Sequence, residues 1–379
     1  MPEHKNQHYV PQHFLRGWSV DGQISVYHIE DGPIPVKESI KHACSEDYLY
    51  GNPTHVEEKL GELESLHQKP LGRLRDGGTL PDIDLERRRL LLSFVATQRA
   101  RSLLTRQDID SGEHVIRDAI KDDLEDDVFD ERIEWHDDFT IDEKEDRLTD
   151  ASLRSIHMNL IIKCMFGHLF LGDLEGVILR NVADEQFVVS DVRIVLDNPR
   201  FKQSQQKVLT GFSEAGLQIF CPIDPARVLL LYDPSVYSFD SNSRQHLLLK
   251  SQEVVNEVNL LQFHNSDSIV MHHSCSKEYL NNLAERMSKF RSRQKVTQTM
   301  EPEDGEKKEV KKVPPHQVPA KSPDIPGCKT YYTEYTNERY NSHPQYMREI
   351  VHKIKKKADG FPDVGAIVAI EIIKELYQD

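Results

Sequence analysis

The sequence predicts an α+β protein with an N-terminal β unit, central helices and a sheet in the second half of the main domain. Three observations predict this class. A short run near the N-terminus alternates polar and apolar residues, the stretch from 55 to 171 repeats apolar residues at helical spacing, and short β-rich runs follow from residue 176. Because helical and strand-like segments are grouped along the chain, α+β is favoured over a regularly alternating parallel sheet.

The first half of the chain begins with a strand and continues as helices. Residues 23–28 alternate polar and apolar after the turn Asp21-Gly22, which predicts one strand of a hairpin. Apolar residues recur at intervals of three, four and five over 55–74, which predicts an amphipathic helix. The same spacing predicts further helices over 84–106, where Asp84 is the N-cap, and over 151–171.

The second half of the main domain is rich in β-branched residues and turn residues. Five short runs predict the strands of one sheet, and they lie at 176–179, 186–189, 194–196, 217–220 and 228–232. A helix over 252–262, a strand over 268–272 and a closing helix over 276–290 complete the main domain, which we place at residues 1–292.

The chain after the main domain divides into a linker and a helical appendage. Residues 293–327 are dominated by Lys, Glu, Pro and Gln, which predicts a disordered linker. Residues 328–379 contain two predicted helices, 345–358 and 364–377, and the second is strongly apolar. This pair is too short to hold a core alone, so we expect it to dock on its own main domain or on a partner, with homodimerisation slightly favoured.

Charge is concentrated in one segment of this acidic chain. The net charge is −15, and residues 107–150 hold 19 acidic against 5 basic side chains. We expect this segment to be an exposed, mobile acidic insert. The rest of the chain is nearly neutral, so a nucleic-acid partner is not excluded.

Composition also indicates the compartment. No stretch is apolar enough to cross a membrane. Five scattered cysteines, none in a Cys-x-x-Cys pair, argue against a disulfide framework and favour a reducing cytoplasm.

The opening run and four later blocks suggest a family. The opening is His8-Tyr9-Val10-Pro11 with the following apolar Leu15-Arg16-Gly17-Trp18, and the later blocks are Gln98-Arg99-Ala100-Arg101-Ser102, Val189-Ser190-Asp191, Phe220-Cys221-Pro222-Ile223-Asp224-Pro225 and Asn259-Leu260-Leu261-Gln262. Together they resemble the bacterial domain-of-unknown-function family 4238 over about residues 4–290. In that family an Asn-Pro-type turn usually follows Ser-Asp directly, whereas Val192 to Asp197 intervene here. The resemblance suggests relatives without assigning a reaction.

His8 is the first candidate catalytic residue. An imidazole can act as a general base, a general acid or a metal ligand, or it can tie down a chain terminus through hydrogen bonds. The resemblance raises the weight of the functional interpretation. Arg101 is a candidate phosphate clamp, although it could equally form a buried ion pair.

Three carboxylates are candidate ligands for a divalent metal, magnesium or manganese. Glu57 and Glu64 are seven residues apart and therefore share one helix face, where they could hold a cation or simply face solvent. Asp191 lies at the end of a β run, where active-site residues are often found. The predicted metal ligands are thus Glu57, Glu64 and Asp191, with His8, Arg101 and Asp191 as catalytic residues.

Several other classes lack their sequence patterns. The chain contains no P-loop, no Gly-x-Ser-x-Gly elbow and no Rossmann glycine pattern. His272-His273 with Cys275 could bind zinc, but adjacent histidines on a strand point to opposite faces.

Two functions remain open. The first is a metal-assisted phosphodiester hydrolase, that is a nuclease, in a phage-defence or toxin setting. The second is a non-catalytic sensor or a ligand- or protein-binding module, in which the same polar residues line a pocket.

Overall fold

The computed structural model of the chain describes residues 6–29, 32–50, 55–110, 112–114, 116–118, 120, 141–199, 211–240, 246–288, 322–331, 354, 357 and 362–377. It is a mixed α+β protein, which confirms the predicted class. Helices occupy the middle of the described chain, strands lie on both sides of them, and a further helix lies at the C-terminal end.

The largest sheet has five strands in the order β11-β5-β9-β8-β7. Its strands are β5 (Glu175–Asn181), β7 (Val195–Asp197), β8 (Gln218–Asp224), β9 (Arg227–Tyr232) and β11 (His246–Leu249). All neighbours pair antiparallel except β11 and β5, which are parallel. Every residue of β8 is buried, as expected for a central strand covered on both faces.

A second sheet joins the two ends of the main domain in the order β3-β2-β12-β6. Its strands are β2 (Gln23–His28), β3 (Gly32–Ser39), β6 (Val189–Ser190) and β12 (Ile269–His272). Two small ladders complete the β structure, β1 (Asn6–His8) with β4 (Ser45–Asp47), and β10 (Tyr237–Phe239) with β13 (Cys328–Thr330). The expectation that the five runs from 176 to 232 form one sheet is therefore wrong for the run at 186–189, because β6 pairs with β12, which in turn pairs with β2 of the N-terminal unit.

Three long helices form the central layer. These are α2 (His55–Arg75), α3 (Leu85–Ala100) and α5 (Ile141–Met165), and α3 packs against both of the others. Shorter helices are α1 (Gln12–Leu15), α4 (Leu103–Asp110), α6 (His168–Leu171), α7 (Gln252–Asn265) and α8 (Lys277–Ser288). A continuous apolar core runs from the helices into the five-stranded sheet.

The helix predicted over 84–106 is interrupted. α3 ends at Ala100, Arg101 is its C-cap, and α4 begins at Leu103. The Ser102 hydroxyl donates to the Arg99 carbonyl, and it accepts a hydrogen bond from the backbone of Thr105. A serine that bonds to its neighbouring backbone in this way favours a helix terminus over a helix interior.

The predicted strand at 186–189 is shorter than expected. Only Val189 and Ser190 pair in a sheet. The backbone N–H of Val188 instead donates to the side chain of Asn259 on α7, which satisfies the group without a strand partner.

The C-terminal helix α9 (Pro362–Tyr377) packs against α2 and α5 of the same chain. Its apolar face is fully buried at Ala366, Ala369, Ile370 and Ile373. Ion pairs flank this face, since Lys59 reaches Glu371 at 2.6 Å and Lys374 reaches Glu62 at 2.7 Å. The helix predicted over 364–377 is therefore present and docked, while the helix predicted over 345–358 lies almost wholly outside the described residues.

The acidic segment and the linker are only partly described. The acidic segment begins within α4 and ends within α5, and Ile120 between them is buried. Residues 121–140, which carry 10 of the 19 acidic side chains of the expected insert, lie outside the described residues. At the end of the predicted linker, Ile325 is buried and the backbone of Asp324 donates to Glu257 at 2.9 Å. The described residues 322–327 thus pack on the main domain, although the sequence predicts them as the end of the linker.

Within the described residues, no helix is both long enough and apolar enough to cross a membrane.

Candidate functional site

The N-terminal block is fixed at both ends by the surrounding fold. β1 pairs with β4, and the backbone N–H of Tyr9 donates to the Cys44 carbonyl at 3.1 Å. Pro11 precedes α1 and caps its start with backbone angles that are not helical. The following apolar side chains, Phe14, Leu15 and Trp18, are buried in the core. The block is therefore held in place by backbone pairing and by apolar packing.

A set of polar side chains gathers beside this block, and we call it the polar cluster: His8, Tyr50, Glu57, Glu64 and Arg101. Arg101 is its centre. Its guanidinium donates to Glu64 Oε1 at 2.6 Å, to the Tyr50 hydroxyl at 2.8 Å and to the His8 carbonyl at 2.5 Å. The Arg101 side chain is fully buried, whereas that of Glu64 keeps 18% of its surface exposed. The cluster is consequently closed around Arg101, and Glu64 retains some contact with solvent.

Glu57 and Glu64 reach this centre from one face of α2, as their spacing predicts. The backbone N–H of His8 donates to Glu57 Oε1 at 3.3 Å. The carbonyl of the same residue accepts from Arg101, which pairs with Glu64. The His8 imidazole itself lies 3.3 Å from the Ile40 carbonyl, through Nε2. The two carboxylates therefore hold the His8 backbone and Arg101, and the His8 ring turns toward β3.

The electrostatics of the cluster keep Arg101 charged and favour a neutral His8. Burial alone would lower the pKa of the Arg101 guanidinium, but Tyr50, Glu64 and Glu57 outweigh it and raise this pKa above its ordinary value. Burial lowers the pKa of His8, against the hydrogen bond to the Ile40 carbonyl, and the Arg101 charge lowers it further. A neutral imidazole at physiological pH can accept a proton.

Asp191 lies at the end of β6, but its carboxylate is used in a turn. Its two oxygens accept from the backbone N–H groups of Asp267, Ser268 and Ile269 at 2.8 to 3.1 Å. The Ser268 hydroxyl adds a fourth bond at 3.2 Å. Burial raises the pKa of this carboxyl, and the backbone N–H groups act against that rise. Asp191 is 1% exposed. Through these hydrogen bonds its carboxylate links the end of β6 to the start of β12.

A second buried arginine connects Asp191 to the N-terminal block. Arg193 donates to the Asp191 carbonyl at 2.8 Å, to the Tyr9 carbonyl at 2.6 Å and to Gln98 Oε1 at 2.7 Å. Its neighbours in these bonds are carbonyl oxygens, and burial together with the nearby Arg101 charge lowers its pKa to about 10. Its backbone adopts φ +50°, an uncommon conformation for a non-glycine residue.

The structure thus brings His8, Glu57, Glu64 and Arg101 together, and it links the carboxylate of Asp191 to a separate turn. Within the described part of the chain, no group of three or more His, Cys, Asp or Glu side chains is arranged to hold a metal ion. The two residues with the best placement for a cation, Glu57 and Glu64, each accept a hydrogen bond from the protein.

Sequence reasoning missed the residues that complete these networks. Tyr50 and Arg193 had no distinguishing pattern, although Arg193 falls in the stretch that departs from the family spacing. Gln98 and Gln262 lie in the family blocks, and Gln262 Oε1 accepts from both the backbone and the hydroxyl of Ser190 at 3.0 and 2.9 Å. Four separate blocks therefore meet through buried polar side chains.

An open groove lies on the outer side of α2, and we call it the α2 groove. It has a volume of about 690 Å³ and lies between α2, the short 3₁₀ turn at Leu80–Asp82 and the first turn of α3. Its polar lining consists of Ser65, Gln68, Lys69, Arg73, Asp76, Asp82 and Arg87, and Gly72 also lines it. The groove lies on the opposite side of α2 from its buried leucines, because the lining residues recur at helical spacing.

The fold and these features define an α+β scaffold whose shared sequence blocks form a buried polar network. The chain belongs to the family described as protein of unknown function (DUF4238), whose model matches residues 6–276. No curated protein and no solved structure matches the chain.

Proposed function

We propose that this protein is a non-catalytic binding module that takes an anionic ligand in the α2 groove. The observation that carries this proposal is the contrast between the two polar regions. Arg101 in the polar cluster is fully buried and bonded to Glu64, Tyr50 and the His8 backbone. Lys69 and Arg73 in the groove are exposed and form no ion pair with a described residue.

This contrast supports binding on the outside of a rigid scaffold. A buried arginine that is hydrogen-bonded to the protein holds the groups around it in place. Exposed cations at one edge of a cavity instead attract an anion from solution. The volume of about 690 Å³ falls within the range of small-molecule sites. The polar cluster then serves to fix α2, whose other face lines the groove.

Inorganic phosphate is the first probe of this proposal. We expect phosphate to raise the midpoint of thermal unfolding at constant ionic strength, because a ligand that binds only the folded state stabilises it. The double variant Lys69→Gln with Arg73→Gln should lose this shift. The matched control is Arg154→Gln with Lys163→Gln, which removes one Arg and one Lys from exposed positions on α5. Equal shifts in both double variants would overturn the proposal.

A metal-assisted phosphodiester hydrolase is the second candidate, and the convergence of His8, Glu57, Glu64 and Arg101 favours it. A neutral His8 would act as the base, Arg101 would hold a phosphate oxygen, and Glu57 and Glu64 would bind magnesium or manganese. Asp191 would join them only after leaving its turn at 267–269. The substrate would be a nucleic acid, and the setting phage defence or a toxin system.

Nuclease assays with magnesium or manganese test this second candidate. Activity that is present in the wild type and absent in His8→Ala would support it, provided that His42→Ala, which changes a nearby exposed histidine, stays active. A chelator should abolish the same activity. Equal rates for wild type and His8→Ala would remove His8 from the mechanism.

A further inference from the structure

We infer that the ligand of the α2 groove is a small sugar or polyol that carries one phosphate group. This inference rests on the proposed function and names the chemical class of its ligand. The phosphate would bind Lys69 and Arg73, and the hydroxyl groups would bind Asp76. Three features of the groove lead to this class: its size, the order of its charges, and the chemistry of the rest of its lining.

The size of the groove requires more than a phosphate ion. Its volume of about 690 Å³ lies in the range of roughly 300 to 1,000 Å³ for sites that hold whole small molecules. One wall is the face of α2 that carries Ser65, Gln68, Lys69 and Arg73, over about two helical turns, and Asp76 extends this wall just after the helix ends. A ligand that fills the groove therefore extends along α2.

The cationic part of the groove is one helical turn of α2. Lys69 and Arg73 are four residues apart, so their side chains are neighbours on the helix surface. The third cation, Arg87, already pairs with Asp84, its helix N-cap. Two cations without ion pairs among the described residues match the charge of one phosphate monoester.

Beyond the two cations, the groove is lined by a negatively charged residue, Asp76. Asp76 directly follows α2, is exposed, and its carboxylate has no hydrogen bond or ion pair with a described residue. The other carboxylate, Asp82, accepts from the Thr79 backbone and hydroxyl at 2.8 Å. A free carboxylate repels a second phosphate and accepts hydrogen bonds from hydroxyl groups. The order of charges thus favours a monophosphate over a polyphosphate.

The remaining lining selects against a nucleobase. The lining residues of the α2 groove are all described, and they include no aromatic ring on which a base could stack. Gln68 and Ser65 supply an amide and a hydroxyl, which form hydrogen bonds with a polyol. The groove therefore has partners for a phosphate and for hydroxyl groups.

Calorimetry with three compounds tests this inference. The compounds are ribose 5-phosphate, ribose and inorganic phosphate. We expect ribose 5-phosphate to bind about tenfold more tightly than inorganic phosphate, since one hydrogen bond to a charged group contributes roughly that factor. In Asp76→Ala this advantage should disappear, while phosphate itself should bind equally or more tightly. Asp184→Ala, which removes an exposed carboxylate elsewhere, should leave both affinities unchanged.

A pair of glycine substitutions on α2 tests the location. A Cβ at either Gly61 or Gly72 would meet no other atom within 4 Å, so leucine at both positions is compatible with the helix. Gly72 lines the groove, and Gly61 is not among the lining residues. Gly72→Leu should abolish binding of both phosphate probes, and Gly61→Leu should not. Unchanged binding in Gly72→Leu would overturn the inference.

The outcomes separate the inference from the function on which it rests. If ribose 5-phosphate and phosphate bind equally, with the same dependence on Lys69 and Arg73, the sugar phosphate class is wrong and anion binding stands. If neither compound binds, the proposed function fails as well.

Discussion

Arg101 combines a full positive charge with complete burial, and this combination makes it the residue on which the N-terminal block most depends. Its three hydrogen-bond partners come from β1, the segment before α2, and α2 itself. Removing one member of a buried ion pair costs more than the pair contributes, because the other charge loses its partner. A neutral replacement therefore removes the donor to Glu64 and leaves the His8 carbonyl with the longer bond from the Tyr50 hydroxyl at 3.4 Å.

We predict that Arg101→Met lowers the free energy of unfolding by about 3 kcal/mol, at the lower end of the range for buried pairs because Glu64 retains some contact with solvent. The control is Arg106→Met, since Arg106 forms only partly exposed ion pairs with Glu46 and Asp110 and should lose under about 1 kcal/mol. Urea unfolding of the three proteins measures both changes. Similar losses in the two variants would show that Arg101 is not specially placed.

The buried histidines predict a loss of stability in acid. Burial and the charges of Arg75 and Arg101 lower the pKa of His13 to about 3, and burial lowers the pKa of His272 to about 4. The unfolded chain binds protons at these residues near pH 6.5 and the folded chain does not, so stability is complete above that pH and falls as the pH drops toward 3. Urea unfolding at a series of pH values between 7 and 4 measures this decline.

The variant that tests this assignment is His13→Leu, which replaces an imidazole packed near Phe94 by an apolar side chain. Its stability should fall less steeply with acid, by about 1.4 kcal/mol per pH unit below pH 6. His42→Leu, at an exposed position, should keep the wild-type slope. A parallel decline in all three proteins would assign the acid sensitivity to other groups.

At the scale of elements, the spacing of apolar residues predicts the helices well, because the apolar face of a helix is the face that is buried. The apolar spacing of α2 even placed Glu57 and Glu64 on the face where the structure finds them. The break at Arg101 could not be predicted in the same way, because Leu103 continues the apolar pattern. A local hydrogen bond of Ser102 ends the helix there.

The pairing of strands is harder to predict than the position of helices. The residues of a strand indicate whether it is buried, but they do not indicate which strand lies beside it. β6 and β12 read like the strands of the five-stranded sheet, yet β6 pairs with β12, more than 75 residues later in sequence, and β12 pairs with β2 of the N-terminal unit. For the same reason the sequence alone makes Asp191 a candidate site residue. Its turn partners at 267–269 come from a distant segment whose position only the folded chain defines.

The turn around Asp191 carries a prediction of its own. Asp191→Asn should lower the free energy of unfolding by about 1 to 3 kcal/mol without any metal present, because an amide nitrogen would face the backbone N–H groups of Ser268 and Ile269. Asp184→Asn, at an exposed turn, is the control. Chemical unfolding in a chelating buffer measures both. A normal stability for Asp191→Asn in that buffer would contradict the role of the carboxylate in the turn.

At the scale of the whole molecule, α9 closes the helical layer. Its buried residues contact α2 and α5, and the ion pairs Lys59–Glu371 and Lys374–Glu62 lie along the edge of this contact. These pairs are partly exposed and screened by solvent, so the apolar face accounts for most of the binding of α9. Without α9, the faces of α2 and α5 that it covers would be exposed to solvent, which favours association.

We therefore predict that a chain ending at Thr330, after β13, unfolds at a lower temperature than the full chain and self-associates. Ile370→Asp should weaken the docking of α9 in the same direction, because Ile370 is fully buried in this contact, while the exposed Glu375→Ala should not. Light scattering and thermal unfolding measure the two effects. A monomeric full chain with an associating truncated chain would agree with docking in cis. A dimeric full chain with a monomeric truncated chain would instead agree with the self-association through the C-terminal helices that the sequence favours, because α9 would then hold two copies together.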